Sequence, residues 1–282
     1  MIFKTRFAPS PTGPLHLGHA YSALLAHDTA RANGGEFHLR IEDLDQSRVR
    51  PEWEELIYQD LEWLGMSWDG PVLRQSERMD IYRQTLSGPL ANHVFSCRCN
   101  RRDIIEAANA PQDGEPAMGP DGVVYPGTCA TDIALDFTNL PWSDVNLRLR
   151  ITPSQFKFSF SEMGPKAGDY HFDTASFSRT IGQVVLWRRG YAAYHLASVV
   201  DDAAQGITHV IRGLDLFEAT QIHVVLQRLL GVPTPKYHHH KLITDEAGKR
   251  LAKRHDAKAI QVYRKQGYSV EALRQMIGLS EP

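Results

Sequence analysis

Two histidines stand three residues apart in Pro14-Leu15-His16-Leu17-Gly18-His19, directly after the turn Ala8-Pro9-Ser10-Pro11-Thr12-Gly13. Imidazoles at the start of a helix can donate to phosphoryl oxygens as charge builds on them in a transition state. The helix N-terminus favours an anion through its free N–H groups and dipole, and Gly18 leaves room for an adenine or ribose against the backbone. Alone, a H-x-x-H pair usually marks a helix surface; the proline-rich turn before it argues for a nucleotide-phosphate loop. Far downstream, Gly248-Lys249-Arg250-Leu251-Ala252-Lys253-Arg254 forms a basic loop. Such a loop can neutralise β- and γ-phosphates with a lysine as a mobile point charge. In isolation it would be a solvated surface, as Arg188-Arg189 is read to be; paired with the first loop it completes an ATP site.

The cysteines are the third feature. Cys97, Cys99 and Cys129 are the only three in the chain, and an odd number without an export signal argues against a disulfide framework. Three thiolates around one loop suit a structural zinc, which takes four ligands; chemistry alone would make the fourth a histidine or a water. His238-His239-His240 cannot all converge on one ion, because neighbours in a strand face opposite sides. They are read as structural.

These groups need elements to hold them. Residues 2–7 read as a buried strand running into the proline turn, and residues 18–33 as a helix with Ala20, Ala23, Leu24, His27 and Ala30 on one stripe. Gly34-Gly35 ends it and residues 37–41 form a second strand, so the opening is half of a doubly wound α/β fold. Pro51 starts the next helix, with Glu52, Glu54 and Glu55 in its first turn and Trp53, Leu56, Ile57, Leu61 and Leu64 facing inward. The pattern weakens over residues 97–141, and residues 110–127 read as a long loop. Strands are expected at 184–187, 191–200 and 207–211, a helix at 216–230, a strand ending at 241–243, and two short helical pieces over 257–279. The expected plan is an α/β catalytic domain in two halves, 1–95 and 184–245, split by an insertion at 96–183. A basic loop and short helical segment follow at 246–282.

Composition sets the bounds. With 282 residues, 42% hydrophobic and 23% charged, the chain can bury a full core. No apolar run is long enough to cross a bilayer, and the first six residues are too polar for a secretory segment, so a cytoplasmic protein is expected. A net charge of −2 leaves only local basic clusters for contact with nucleic acid.

The segment Phe7-Ala8-Pro9-Ser10-Pro11-Thr12-Gly13-Pro14-Leu15-His16-Leu17-Gly18-His19 closely resembles the HIGH signature of glutamate-type class I aminoacyl-tRNA synthetases. Arg250 to Arg254 is similar to their KMSKS loop, with Arg for Lys at the first position, Ala for Ser at the third, and Lys253 retained. The resemblance covers essentially the whole chain. It implies a Rossmann-like catalytic domain, ATP contacts at His16, Gly18, His19 and Lys253, and Mg²⁺ with the nucleotide. It also implies a glutamate pocket at Arg6, Phe7, Ala8, Pro9, Ser10, Glu42, Tyr194 and Arg212, and a zinc held by Cys97, Cys99, Tyr125 and Cys129 in a C-x-C…Y-x-x-x-C arrangement. Fewer than thirty residues follow Lys253, so no anticodon-binding domain is expected. This points to the family's short branch, the glutamyl-Q tRNA(Asp) synthetases, which transfer activated glutamate to the queuosine base of tRNA(Asp). The rivals are a truncated glutamyl-tRNA synthetase charging tRNA(Glu), a tRNA-binding paralogue without catalysis, and a small nucleotidyltransferase. In the family's full-length glutamyl enzymes, adenylate formation requires tRNA.

Overall fold

Pro9, Pro11 and Pro14 lack the N–H that a strand ladder or helix interior needs. Strand β1 (Lys4–Phe7) therefore ends before them, and helix α1 (Leu17–Ala32) begins only after them. Gly34, at φ +60°, turns the chain into β2 (Glu36–Ile41), which lies parallel to β1 with Lys4 opposite Glu36 and Phe7 opposite Leu39. Helix α2 (Pro51–Trp63) carries its proline in the first turn, with Glu52 and Glu54, and buries Leu56, Ile57 and Leu61. Strand β3 (Leu73–Arg74) joins the outer side of β2 in parallel, and α3 (Met79–Ser87) follows. This computed structural model describes residues 2–108, 116–130, 133–151, 156–243 and 258–279.

The middle of the chain is β4 (Val94–Cys97), α4 (Arg101–Ala108), the small hairpin β5 (Met118–Gly119) and β6 (Gly122–Val123), then β7 (Asn146–Leu149). A longer hairpin, β8 (Lys157–Glu162) and β9 (Gly168–Asp173), leads to α5 (Thr174–Thr180). Next come β10 (Val185–Arg188), β11 (Tyr191–Ala192), α6 (Tyr194–Ala204), β12 (His209–Gly213), α7 (Thr220–Leu230) and β13 (Lys236–His240). The last elements are α8 (Ile260–Lys265) and α9 (Val270–Ile277), the two short helical pieces expected there.

Strands β11-β10-β7-β4 make one antiparallel sheet, and β12-β13-β8-β9 make another whose first three strands run parallel. The Lys4 N–H donates to Thr208 Oγ1 (2.8 Å) and the Thr208 N–H to the Lys4 carbonyl (3.1 Å), which brings the start of β12 alongside β1. The resulting order, β3-β2-β1 continued by β12-β13, is that of a doubly wound nucleotide fold. The β8–β9 hairpin, although it falls within 96–183 in sequence, extends this same sheet, with Glu162 paired to Tyr237.

One expected element is corrected. Residues 191–200 are not a strand: only Tyr191–Ala192 pairs as one, Ala193 is the helix N-cap, and the rest lies in α6. Val199 and Val200 favour a strand locally, but Leu196 and Val199, with Ala197, recur at helical spacing and are buried against α7 and the antiparallel sheet. Packing overrides the β-branched propensity.

Asp60 of α2 is a buried exception. It is 0% exposed; among the described residues neither carboxylate oxygen has a hydrogen-bond partner, and the Arg264 guanidinium lies 3.8 Å away. Burial, only partly offset by Arg264, pushes its pKa up to about 6. The native state holds this proton more tightly than the unfolded chain, so stability falls as pH rises from about 4 to about 6, and the penalty persists above that window. Asp60→Asn is expected to stabilise the protein by roughly 2 kcal/mol at pH 8, with the gain gone by about pH 4. Thermal denaturation at both pH values tests this; an equal shift at the two would discard the titration as its cause.

Candidate active site

The proline turn delivers His16 to the start of α1, where its Nδ1 accepts the Gly18 N–H (3.1 Å) and the His19 Nδ1 accepts the His16 N–H (3.2 Å). Each imidazole thus spends Nδ1 as an acceptor and keeps its proton on Nε2, where it can be donated. The two rings stack with centroids 3.8 Å apart. Gly18 has a local reason to be glycine: a Cβ there would sit 3.0 Å from His16 Cε1. Arg250 to Arg254, with Lys253, lie outside the described residues. Beyond them, Ala259 bridges to His16 and the Ile260 N–H donates to the Leu15 carbonyl (2.9 Å), so the chain after the basic loop docks on the phosphate loop.

Arg6, Glu42, Tyr194 and Arg212 come together at the carboxyl ends of β1, β2 and β12, where open α/β sheets bind ligands. The Arg6 Nε donates to Asp202 (2.9 Å), and Arg40, fully buried, donates to Asp202 (2.7 Å) and Glu42 (3.3 Å). Burial opposes ionisation of Asp202, yet Arg6 and Arg40 outweigh it and hold this carboxyl below the ordinary range. At Glu42 burial wins over Arg40 and Arg6 and raises the pKa. Burial also raises the Tyr194 phenol, which feels Arg212, Glu42, Arg6 and Asp202 together, so the four predicted groups share one electrostatic pocket. Phe7, Ala8, Pro9 and Ser10 run past it, and the Pro9 carbonyl accepts the Glu42 N–H (2.9 Å), which ties the loop to the end of β2.

Arg212 is 5% exposed and held on every side. Its Nε donates to His239 Nε2 (3.0 Å), one terminal nitrogen to Thr220 Oγ1 (2.8 Å) and the Leu216 carbonyl (3.2 Å), the other to His223 Nδ1 (3.3 Å) and Tyr194 Oη (3.5 Å). Because His239 Nε2 accepts, its Nδ1 carries the proton and donates to Glu162 (2.6 Å). The three histidines of β13 do face alternate sides: His240 Nε2 meets Ser22 (2.6 Å) on α1, while His239 faces Arg212. His239 is thus a structural residue whose ring is held between Arg212 and Glu162.

Arg40, Glu162, Asp202, Thr220, His223 and His239 were not among the site residues expected from sequence. Arg40 could have been found, because it shares a strand face with Glu42 two residues on, and Asp202 because it follows the apolar run Leu196 to Val200. Arg188 and Arg189 form the exposed tip of the β10–β11 hairpin, in keeping with the solvated reading.

The cysteines also gather. Cys97, Cys99 and Cys129 have their sulfurs within 4.8 Å of one another. The Tyr125 hydroxyl lies 3.5 Å from Cys97 Sγ and 3.7 Å from Cys99 Sγ, and it accepts the Cys129 N–H (2.7 Å). Burial works against the Cys129 thiolate, but the Tyr125 hydroxyl and the Arg98 N–H bring the thiol down to about 7. Arg148 donates to Cys97 Sγ (3.3 Å) and lies over the Tyr125 ring at 4.0 Å.

A doubly wound sheet with an imidazole-capped first helix and a guanidinium-lined pocket at its strand ends is the architecture of a nucleotide-dependent α/β enzyme. The family described as "tRNA synthetases class I (E and Q), catalytic domain" matches residues 3–280, and the chain belongs to it. It is accordingly an aminoacyl ligase. It is 55% identical over 278 residues to the Glutamyl-Q tRNA(Asp) synthetase of Rhodobacter capsulatus, covering 98% of this chain and 99% of that one. It is 38% identical to the Glutamate--tRNA ligase of Aquifex aeolicus, covering 96% of this chain and 55% of that protein. The crystal structure of a glutamate tRNA ligase from Elizabethkingia meningosepticum in complex with its amino acid is similar at TM-score 0.71 and 29% identity, covering 95% of this chain and 54% of that one. The chain thus spans about half the length of the last two proteins. Among the described residues, no helix is long and apolar enough to cross a membrane.

Proposed function

We propose that this chain activates L-glutamate with ATP as the glutamyl adenylate and transfers the glutamyl group to the queuosine base in the anticodon of tRNA(Asp). The observation that carries the first step is the convergence of Arg6, Glu42, Tyr194 and Arg212 beside the helix that presents His16 and His19. Two guanidinium groups suit the two carboxylates of glutamate, and Glu42 suits its ammonium. Phe7, Ala8, Pro9 and Ser10 wall the pocket. The acceptor is supported by the R. capsulatus relative, which is named for tRNA(Asp) and is matched over 99% of its length. In this reading residues 1–95 and 184–245 are the catalytic halves and 96–183 the insertion, with its 157–173 hairpin lent to the catalytic sheet. The setting is the cytoplasm.

In the first step the α-carboxylate of glutamate attacks the α-phosphorus of ATP and pyrophosphate leaves. The Nε2–H groups of His16 and His19, with Gly18 allowing the close approach and Lys253 from the basic loop, stabilise the charge that develops on the phosphates. Mg²⁺ bound with ATP supplies further neutralisation. In the second step a hydroxyl of the queuosine cyclopentenediol attacks the adenylate carbonyl, AMP leaves with the electron pair of the broken bond, and the hydroxyl proton is lost to solvent.

Glutamate-dependent ATP–pyrophosphate exchange, with and without tRNA, tests this reading. Exchange without tRNA is the expected result. No exchange in either condition would remove the enzyme assignment, and exchange only with tRNA(Glu) would favour a glutamyl-tRNA synthetase. Glutamylation of tRNA(Asp) lacking queuosine would remove the acceptor.

Cys97, Cys99, Tyr125 and Cys129 fit one structural Zn²⁺ in the same reading. Sulfurs on a tetrahedral zinc with bonds of about 2.3 Å stand roughly 3.8 Å apart, which the Cys99–Cys129 spacing of 3.4 Å approaches. Bound zinc would clamp the end of β4 to the loop after β6 without entering the reaction. Elemental analysis is expected to show about one zinc per chain, lost in Cys97→Ser/Cys129→Ser. A metal-free protein of unchanged thermal stability would argue against the ion.

A further inference from the structure

Arg212 is reached from behind by a line of polar groups that leads out of the pocket. His223 of α7 accepts from Arg212 through Nδ1, so its proton is on Nε2, which points at His195 Nδ1 (3.1 Å). His195, in the first turn of α6, must then carry its own proton on Nε2, and that nitrogen lies 3.1 Å from both carboxylate oxygens of Asp121. An arginine cannot accept and a carboxylate cannot donate. With those two ends set, only one arrangement of the imidazole protons satisfies the line. His195 and His223 are both buried, at 6% and 1% exposure. Asp121 is half-exposed, in the two-residue turn between β5 and β6, in the stretch that leads on to Tyr125.

We propose that Asp121, His195 and His223 are positioning residues that hold Arg212 in register for the substrate carboxylate, and so link the β5–β6 hairpin to the amino-acid pocket. The proposal rests on the glutamate reading above. Arg212 makes its longest contacts on the nitrogen shared by His223 and Tyr194, at 3.3 and 3.5 Å, so this is the edge a carboxylate can take over. A His223 ring with its proton on Nδ1 would face that edge donor to donor and push the guanidinium away. The Asp121 carboxylate prevents this, through His195, by fixing which nitrogen is protonated. Burial and the nearby Arg212 depress the His223 pKa well below the usual value, in keeping with a neutral ring.

The test compares wild type, Asp121→Ala and Asp121→Asn, all as the full chain. In pyrophosphate exchange, Asp121→Ala is expected to raise KM for glutamate about tenfold, the effect of losing one hydrogen bond to a charged group, with KM for ATP unchanged. Asp121→Asn keeps a carbonyl oxygen for His195 and should recover most of the loss. ¹⁵N imidazole spectra should show His195 and His223 as Nε2–H in wild type and as tautomer mixtures in Asp121→Ala. An unchanged glutamate KM, or an equal rise for glutamate and ATP, would overturn the proposal, as would an Asp121→Ala spectrum identical to wild type. A wild type without exchange would remove the glutamate reading instead, and the imidazole spectra would still judge the relay.

Discussion

Replacing Arg212 by lysine is expected to lower kcat/KM for glutamate in pyrophosphate exchange by about 10²-fold or more, with KM for ATP left within about twofold. The side chain is a planar fork with three edges in use: His239 takes Nε, Thr220 and the Leu216 carbonyl take one terminal nitrogen, and His223 and Tyr194 take the other. Lysine retains the charge and loses the fork. Its single ammonium cannot serve His239, Thr220 and an incoming carboxylate at once, so buried acceptors are left unpaired at about 1–3 kcal/mol each. The same change should also lower thermal stability, because buried His239 is pinned between Arg212 and Glu162, both themselves buried. Steady-state kinetics with glutamate and ATP each varied at saturating levels of the other decide it. A loss spread equally over both substrates would mean that Arg212 serves the fold rather than the amino acid.

The second large effect is expected at His19. Removing one preorganised donor to a developing phosphoryl charge costs roughly 10²–10³ in kcat, so His19→Ala should lose at least about 10²-fold in exchange rate while KM for glutamate stays within about threefold. Both rings also cap α1, His19 by accepting the His16 N–H, so His19→Ala needs its melting temperature measured, and His16, the N-cap itself, needs a more careful variant. His16→Ala would lose the cap, at about 1 kcal/mol, as well as the donor. His16→Ser keeps an oxygen for the Gly18 N–H and removes only the imidazole. Rate loss in His16→Ser with near-native melting temperature would assign the imidazole to catalysis, and a fall in both would leave it a cap. Stopped-flow pyrophosphate release measures the rate and scanning calorimetry the stability.

Much of the opening was legible because local chemistry and tertiary structure agree there. Prolines 9, 11 and 14 can only interrupt, Gly34-Gly35 can only end a helix, and the apolar spacing of α1 and α2 matches the faces they bury. The stretch at 191–200 failed for the opposite reason. Its β-branched residues and its packing pull apart, and the face it presents depends on α7 and on strands far away in sequence. A window of ten residues does not contain that partner.

The set that the proposed reaction would draw on stands in linear order: an H-x-G-H loop, a glutamate after the second strand, an arginine after a buried strand and three grouped cysteines. Taken singly, each also suits a surface or structural role, and it is their order as a set that carries the resemblance. What linear order could not supply is which of these groups are held, and by what. Arg6 and Arg40 share Asp202 across more than 160 positions, and His239 meets Arg212 through a parallel register set 27 positions later. Buried charges must be paired when the chain closes, and the partners are chosen by strand order and helix packing rather than by proximity in sequence. The line from Arg212 through His223 and His195 to Asp121 is of that second kind: three polar residues unremarkable one by one, joined to Arg212 because α6, α7, β12 and the β5–β6 turn meet at one place.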